Sequence, residues 1–280
     1  MIVIEFLIIL FLVSIFAGVF GSIVGIGGGV VVIPVLTLLL GVNIHFAIGA
    51  SIVSIIGTSS GAASVYVKDK MTNLRVGMFL ELATTSGAIA GAAIAAYLNS
   101  AVLELIFGSI LLISLVPMVT KIGEDIPKNP ELKDLSKRLS LKGSYTEPNG
   151  SVVNYNATRP KTGLFGMVIA GMLSGLLGIG GGAFKVLSMD LAMKLPMKVS
   201  TTTSNFMIGV TAAASAGIYY ARGDVNPLIV APVALGILVG AALGARLLVR
   251  ARNPTIRKVF VVILAVVAVE MILTAEGIAV

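Results

Sequence analysis

Lys185 follows the run GIGGG at 178–182 inside a long apolar stretch. A charge within such a stretch is expensive and marks a functional candidate. A second GIGGG stands at 25–29, so each run places four glycines in five residues. Glycine lets a helix unwind there, and the freed N–H groups need a partner that hydrocarbon does not offer. A short helix is expected after each run, starting near Val30 and near Ala183, with a partly positive N-terminus that suits an anion. The candidates from the runs are Gly27, Gly28 and Gly29, with Gly180, Gly181 and Gly182. The plainer reading is that they permit tight turns or close packing; their recurrence in both places favours a site.

Other polar residues fall inside apolar blocks. Ser200, Thr201, Thr202, Thr203, Ser204 and Asn205 open one block, and Ser51, Ser54, Thr58 and Ser59 lie in another. Hydroxyls and an amide can donate to an oxyanion without bringing charge, although a lone Ser or Thr more often bonds its own helix. From these, Ser51, Thr58, Thr202, Ser204 and Asn205 are taken as substrate-binding candidates beside Lys185. Glu81 could take up and release a proton; a polar pair with Arg75 near the interface is the plainer alternative. Arg222 and Asp224 read as a cap on a span, and His45 as a junction residue.

The elements that must position these groups are membrane spans. The 280 residues are 57% hydrophobic and 12% charged, with a mean hydropathy of +1.04, about half the charge of a soluble domain. The apolar blocks are long enough to cross a bilayer, which takes about 20 helical residues. They lack the alternation a barrel needs. The expected fold is therefore an all-α integral membrane protein. Its first segment, Ile2 to Val24, is expected to be a retained span, since no basic residue precedes it.

Several chemistries are excluded. There is no Cys and one His, which leaves no thiol chemistry and no metal cluster. The Walker phosphate-loop pattern is missing, and no cofactor is expected. The net charge of +7 sits in loops between spans, where it sets topology and does not indicate nucleic acid.

The chain is a duplication. AGVFGSIVGIGGG at 17–29 aligns with AGMLSGLLGIGGG at 170–182, an offset of 153 that continues without a gap. It pairs Ser51 with Ser204, Thr58 with Thr211, Asn73 with Asn226, Gly87 with Gly240 and Phe107 with Phe260. Each half has four apolar blocks, roughly 2–41, 46–67, 75–98 and 101–120, then 163–193, 199–221, 227–249 and 255–275. The expected division is 1–120 for the first repeat, 121–162 for a polar linker with a PNG turn at 148–150, and 163–280 for the second. The small-xxx-small pairs Gly87/Gly91 and Gly240/Gly244 read as helix-packing positions.

Does the glycine-interrupted block cross once or return to its starting side? With a single crossing, Lys and Arg are divided between both sides. If it returns, every Lys and Arg but Arg222 and the intramembrane Lys185 gathers on one side. Basic residues favour the cytoplasmic side of short loops, so the returning model is preferred. Each half then makes an odd number of crossings and the halves are inverted. The termini are expected outside and the linker in the cytoplasm, in the cell (inner) membrane. Inverted repeats with broken helices are the plan of secondary transporters, with substrate near the midplane.

On these motifs the chain resembles the sulfite exporter TauE/SafE family, also called the toluene-sulfonate uptake permease family. The resemblance rests on GIGGG-VVVIP at 25–34, N-x-R-x-G with a following Glu at 73–81, GIGGG-AFK at 178–185, and KVSTTTSNFMIGVTAAASAG at 198–217. It implies transport of a small sulfur-containing anion such as sulfite, thiosulfate or a sulfonate, and fixes neither substrate nor direction. Leu187 stands where the first half has Pro34, so the second interrupted helix is expected to be straighter. The partners expected are a small anionic substrate, the lipid bilayer and protons as coupling ion; a homo-oligomer is left open. The competing readings are a passive anion channel and a non-transporting receptor or assembly subunit. An intramembrane enzyme lacks a nucleophile–base pair.

Overall fold

In the computed structural model the described residues are 3–24, 28–66, 72–120, 134–146, 151–250 and 254–277. The first half contributes α1 (Val3–Val24), α2 (Gly29–Pro34) with a π-turn over Val35–Leu39, α3 (Ile44–Tyr66), α4 (Leu74–Ala95) and α5 (Ser100–Thr120). The second contributes α7 (Pro160–Leu177), α8 (Gly182–Leu187) with a π-turn over Ser188–Ala192, α9 (Met197–Ala221), α10 (Pro227–Arg250) and α11 (Pro254–Ala275). Between them lie α6 (Asp134–Arg138) and an antiparallel hairpin, β1 (Lys142–Thr146) and β2 (Val152–Asn156). The all-α expectation holds for the membrane body. The PNG turn at 148–150 and Gly27 lie outside the described residues.

Residue chemistry sets where the helices begin. Asn73 accepts from Val76 N at 3.1 Å, Asn99 from Val102 N at 2.9 Å and Asn226 from Leu228 N at 3.0 Å. Each amide side chain thereby satisfies an orphan N–H at a helix start. Pro160 opens α7 where a missing N–H does no harm. Four helices carry apolar windows long enough to cross a bilayer: Ile4–Gly21, Leu74–Ala95, Pro160–Leu177 and Pro227–Gly244. Their outward faces are apolar, as in Ile4, Ile8, Leu12 and Phe16 on α1 or Met78, Leu82 and Ile89 on α4. The polar side chains Ser51, Glu81, Lys185, Asn205 and Thr211 are buried. This is the pattern lipid demands: apolar groups outward, polar groups in the protein interior.

The packing is duplicated like the sequence. Gly87 lies against the Val168 carbonyl and Gly171 against the Thr84 carbonyl, joining α4 to α7. At the offset of 153, Gly240 lies against the Ile15 carbonyl and Gly18 against the Ile237 carbonyl, joining α10 to α1. Each half thus grips the first helix of the other along a seam of small residues.

Contacts fix the relative directions of three helix pairs. Along α3, Gly49 lies against Asp224, while Ser59 donates to the Asn205 carbonyl at 2.6 Å, so α3 and α9 run antiparallel. Gly57 lies opposite Ala234, so α3 and α10 run parallel. Asn73 N donates to Thr203 Oγ1 at 3.1 Å and Glu81 meets Thr211, so α4 and α9 run parallel.

The second interrupted block turns back. α7 ends at Gly178, which with Gly180 and Gly181 takes positive φ (+65°, +75° and +63°), a backbone only glycine adopts cheaply. α8 then descends along α7. Ser188 Oγ donates to the Gly163 carbonyl at 3.2 Å, and Thr158 N donates to the Met193 carbonyl at 2.9 Å. Both halves use the same six-residue helix followed by a five-residue π-turn. Leu187 in place of Pro34 thus leaves the lengths of the helix and its π-turn unchanged.

The central segment is docked onto this body. Tyr145, Tyr155, Leu141 and Ala157 pack with Val76, Met193 and Val199. The Asn73 amide donates to the Tyr155 hydroxyl at 3.0 Å. Burial pushes that hydroxyl above its ordinary value of 10.0, with the Asn73 hydrogen bond pulling the other way, so it stays neutral.

Candidate functional site

The two glycine runs meet through α3. Ser51 Oγ donates to the Gly178 carbonyl at 2.6 Å. A methyl on Gly29 would reach Ser51 Oγ and come within 2.5 Å of the Gly178 carbonyl. Ser204 Oγ donates to the Gly182 carbonyl at 3.3 Å. Repeat-related serines therefore both hold the second broken segment, and their single hydroxyl protons are committed to that task. Gly28 caps α2 with its carbonyl, which accepts from Val31 N and Val32 N at 3.1 Å. Gly180 lies among the side chains of Ile208 and Ile55.

Beside the second broken segment lies a charged cluster. Lys185, on α8, is 0% exposed. Its Nζ donates to Thr211 Oγ1, on α9, at 2.6 Å. Thr211 Oγ1 stands 2.7 Å from Glu81 Oε1, on α4, and 2.9 Å from the Met207 carbonyl. Thr85 Oγ1 donates to the same carboxylate oxygen at 3.1 Å. A buried ammonium and a buried carboxylate thus share one hydroxyl, drawn from both halves of the chain. Arg75 does not pair with Glu81; its Nη1 donates to the Ser140 carbonyl at 3.4 Å.

Among the described residues, Glu81 Oε2, Thr58 Oγ1, Ser200 Oγ and Asn205 Nδ2 are buried without a hydrogen-bond partner. Buried polar groups are normally satisfied, so each needs an explanation. Thr202 bonds the Lys198 and Val199 carbonyls of its own helix at 3.0 and 3.2 Å. At the opposite end of α9, Arg222 pairs with Asp224 at 3.1 Å and lies 3.4 Å from His45 Nδ1. That trio ties the α9–α10 turn to the start of α3.

Thr211 and Thr85 were not among the candidates read from the sequence. The signal for Thr211 was present, since it is the repeat mate of Thr58. Nothing local marked Thr85, which lies one turn after Glu81.

Comparison with known proteins places the chain. The family model described as sulfite exporter TauE/SafE matches residues 10–271. The chain belongs to the sulfite exporter TauE/SafE family. It is 27% identical to the probable membrane transporter protein YunE of Bacillus subtilis (strain 168), covering 95% of this chain and 97% of that one. It is 25% identical to the probable membrane transporter protein MJ0441 of Methanocaldococcus jannaschii, covering 96% and 97%. No solved structure matches significantly. As a TauE/SafE protein with several long apolar helices, the chain is a multi-pass membrane transporter that works in a lipid bilayer on a small substrate.

Proposed function

We propose that this transporter is a secondary carrier of a small anion, a sulfur-containing oxyanion or organosulfonate of the sulfite, thiosulfate or sulfoacetate type. It works by alternating access, with the substrate between the two glycine-broken segments. The observation that carries this reading is Lys185. Among the Lys and Arg residues whose burial the structure describes, it is the one that is buried. Its ammonium has three donors, and its hydrogen bond is to a neutral hydroxyl. A small anion beside the segment would take the remaining donors, and the Asn205 amide offers another without adding charge.

The proposed frame is a pair of inverted-topology repeats, 1–120 and 163–280, joined by a segment at 121–162. The antiparallel course of the repeat-related helices α3 and α9 supports it. So does the gathering of basic residues on one side. On that count the central segment is cytoplasmic, the termini are outside, and the membrane is the cell (inner) membrane. Moving one repeat against the other about the seam between halves would expose the site to alternate sides.

The test is a thermal-shift panel on purified protein with sulfite, thiosulfate, sulfoacetate, taurine, sulfate and phosphate. At least one sulfur anion is expected to stabilise the protein, and exchange of that anion is expected in proteoliposomes. No stabilisation and no exchange across the panel would contradict the reading.

A further inference from the structure

The charged cluster occurs once in a scaffold that is built twice. At the offset of 153, Lys185, Thr211 and Glu81 correspond to Val32, Thr58 and Ala234. The mirror position therefore keeps the hydroxyl and loses both charges, and there Thr58 Oγ1 is left without a partner. Duplication supplies the frame. The ions are an addition at one of its two equivalent places.

The geometry of that addition is a switch. Thr211 has one proton and two acceptors within reach, Glu81 Oε1 at 2.7 Å and the Met207 carbonyl at 2.9 Å. With Glu81 ionised, the hydroxyl favours the carboxylate, because a hydrogen bond to a charged acceptor is the stronger. Lys185 and Glu81 then neutralise each other across Thr211. With Glu81 protonated, the carboxyl no longer attracts that proton and Thr211 turns to the Met207 carbonyl. Lys185 is left as a buried cation without a counter-charge, an expensive state that an anion relieves.

We propose that Glu81, Thr211 and Lys185 couple anion movement to protons, so that a proton on Glu81 and an anion on Lys185 are taken up and released together. This inference rests on the anion-carrier reading and adds its coupling ion. The step balances simply. A proton from water adds to the Glu81 carboxylate, raising the cluster's charge by one, and the arriving anion offsets that charge. On the other side the anion leaves and the carboxyl returns its proton to water. Direction follows whichever gradient is larger.

Other charged groups on the packed elements face elsewhere or lie at helix ends. α4 carries Arg75, on the Ser140 carbonyl. α9 carries Lys198, over the Tyr145 ring at 5.8 Å. α7 carries Lys161 in its first turn, α5 holds Glu104 near its start, α3 holds His45 beside Arg222, and the π-turn after α8 holds Asp190. None is hydrogen-bonded to Lys185 or Glu81 among the described residues.

The experiment uses the full chain in proteoliposomes with a pH-sensitive dye in the lumen. Labelled thiosulfate is the first probe, because this strong-acid anion carries no proton of its own near neutrality. Sulfite and sulfoacetate follow. Wild-type protein is expected to acidify the lumen as anion enters, and to accumulate anion when the outside is made acidic. In Glu81→Gln, lumen acidification is expected to be lost, and proton-driven accumulation to fall relative to exchange of labelled for unlabelled anion. Glu81→Asp should recover part of both. Wild-type anion entry without acidification would overturn the coupling and needs no variant to read. So would a Glu81→Gln protein that still accumulates anion on a proton gradient. Absence of any exchange by wild type would overturn the carrier reading as well, so the two failures are distinct.

Discussion

Ser51 in the first half donates to the carbonyl of Gly178 in the second at 2.6 Å, and Gly29 lies against both. Two glycine-broken segments far apart in sequence thereby share one serine. A methyl at Gly29 has no room. Gly29→Ala is expected to destabilise the protein by about 1–3 kcal/mol, the usual penalty of overpacking, and to slow transport. Gly217, on α9, meets nothing within 4 Å. Gly217→Ala is expected to be neutral or stabilising by up to about 1 kcal/mol, because alanine is the better helix former. Thermal unfolding in detergent compares the two.

The duplicated seams predict paired behaviour. Gly18 and Gly171 are repeat mates, and each lies against a carbonyl of the facing helix, of Ile237 and Thr84 respectively. Gly18→Leu and Gly171→Leu should lower the unfolding temperature by similar amounts. A loss confined to one of them would show that the seams are not equivalent in energy.

Lys185 and Glu81 should be energetically coupled. Removing one member of a buried pair leaves the other uncompensated, at about 3–5 kcal/mol. Lys185→Met and Glu81→Gln together should therefore cost less than the sum of the two, by about 0.5–3 kcal/mol. A double-mutant cycle on unfolding midpoints measures this difference; strict additivity would mean that Thr211 does not link the two groups.

The fold was legible because its signals repeat. Asn73 and Asn226 open matching spans, and the glycine runs stand at matching places. The charged cluster was legible only in part. Lys185 stands out because it follows a glycine run in an apolar stretch. Glu81, however, lies six residues from Arg75, and sequence spacing alone suggested that pair. What brings Glu81 to Lys185 is the parallel packing of α4 on α9, a contact between halves that no local pattern encodes. The docking of the 142–156 hairpin was likewise invisible, since its polar strands read as linker while Tyr145 and Tyr155 supply the buried face.

Topology has a clean test because the chain contains no Cys. Ser144 and Glu276 are both exposed. On intact cells a membrane-impermeant maleimide should label Glu276→Cys and leave Ser144→Cys unlabelled until the membrane is opened. The reverse pattern would invert the proposed orientation, and labelling of both would contradict the inverted repeats.

The anion site is tested most directly by ligand-induced stabilisation, read against each variant's own unfolding midpoint. Asn205 is the sharper probe, since its unpartnered amide makes Asn205→Ala mild for folding, whereas Lys185→Ala strands a carboxylate. The sulfur anion that raises the wild-type midpoint is expected to raise it less in Asn205→Ala and not at all in Lys185→Ala. Undiminished stabilisation in both variants would contradict the proposed anion site.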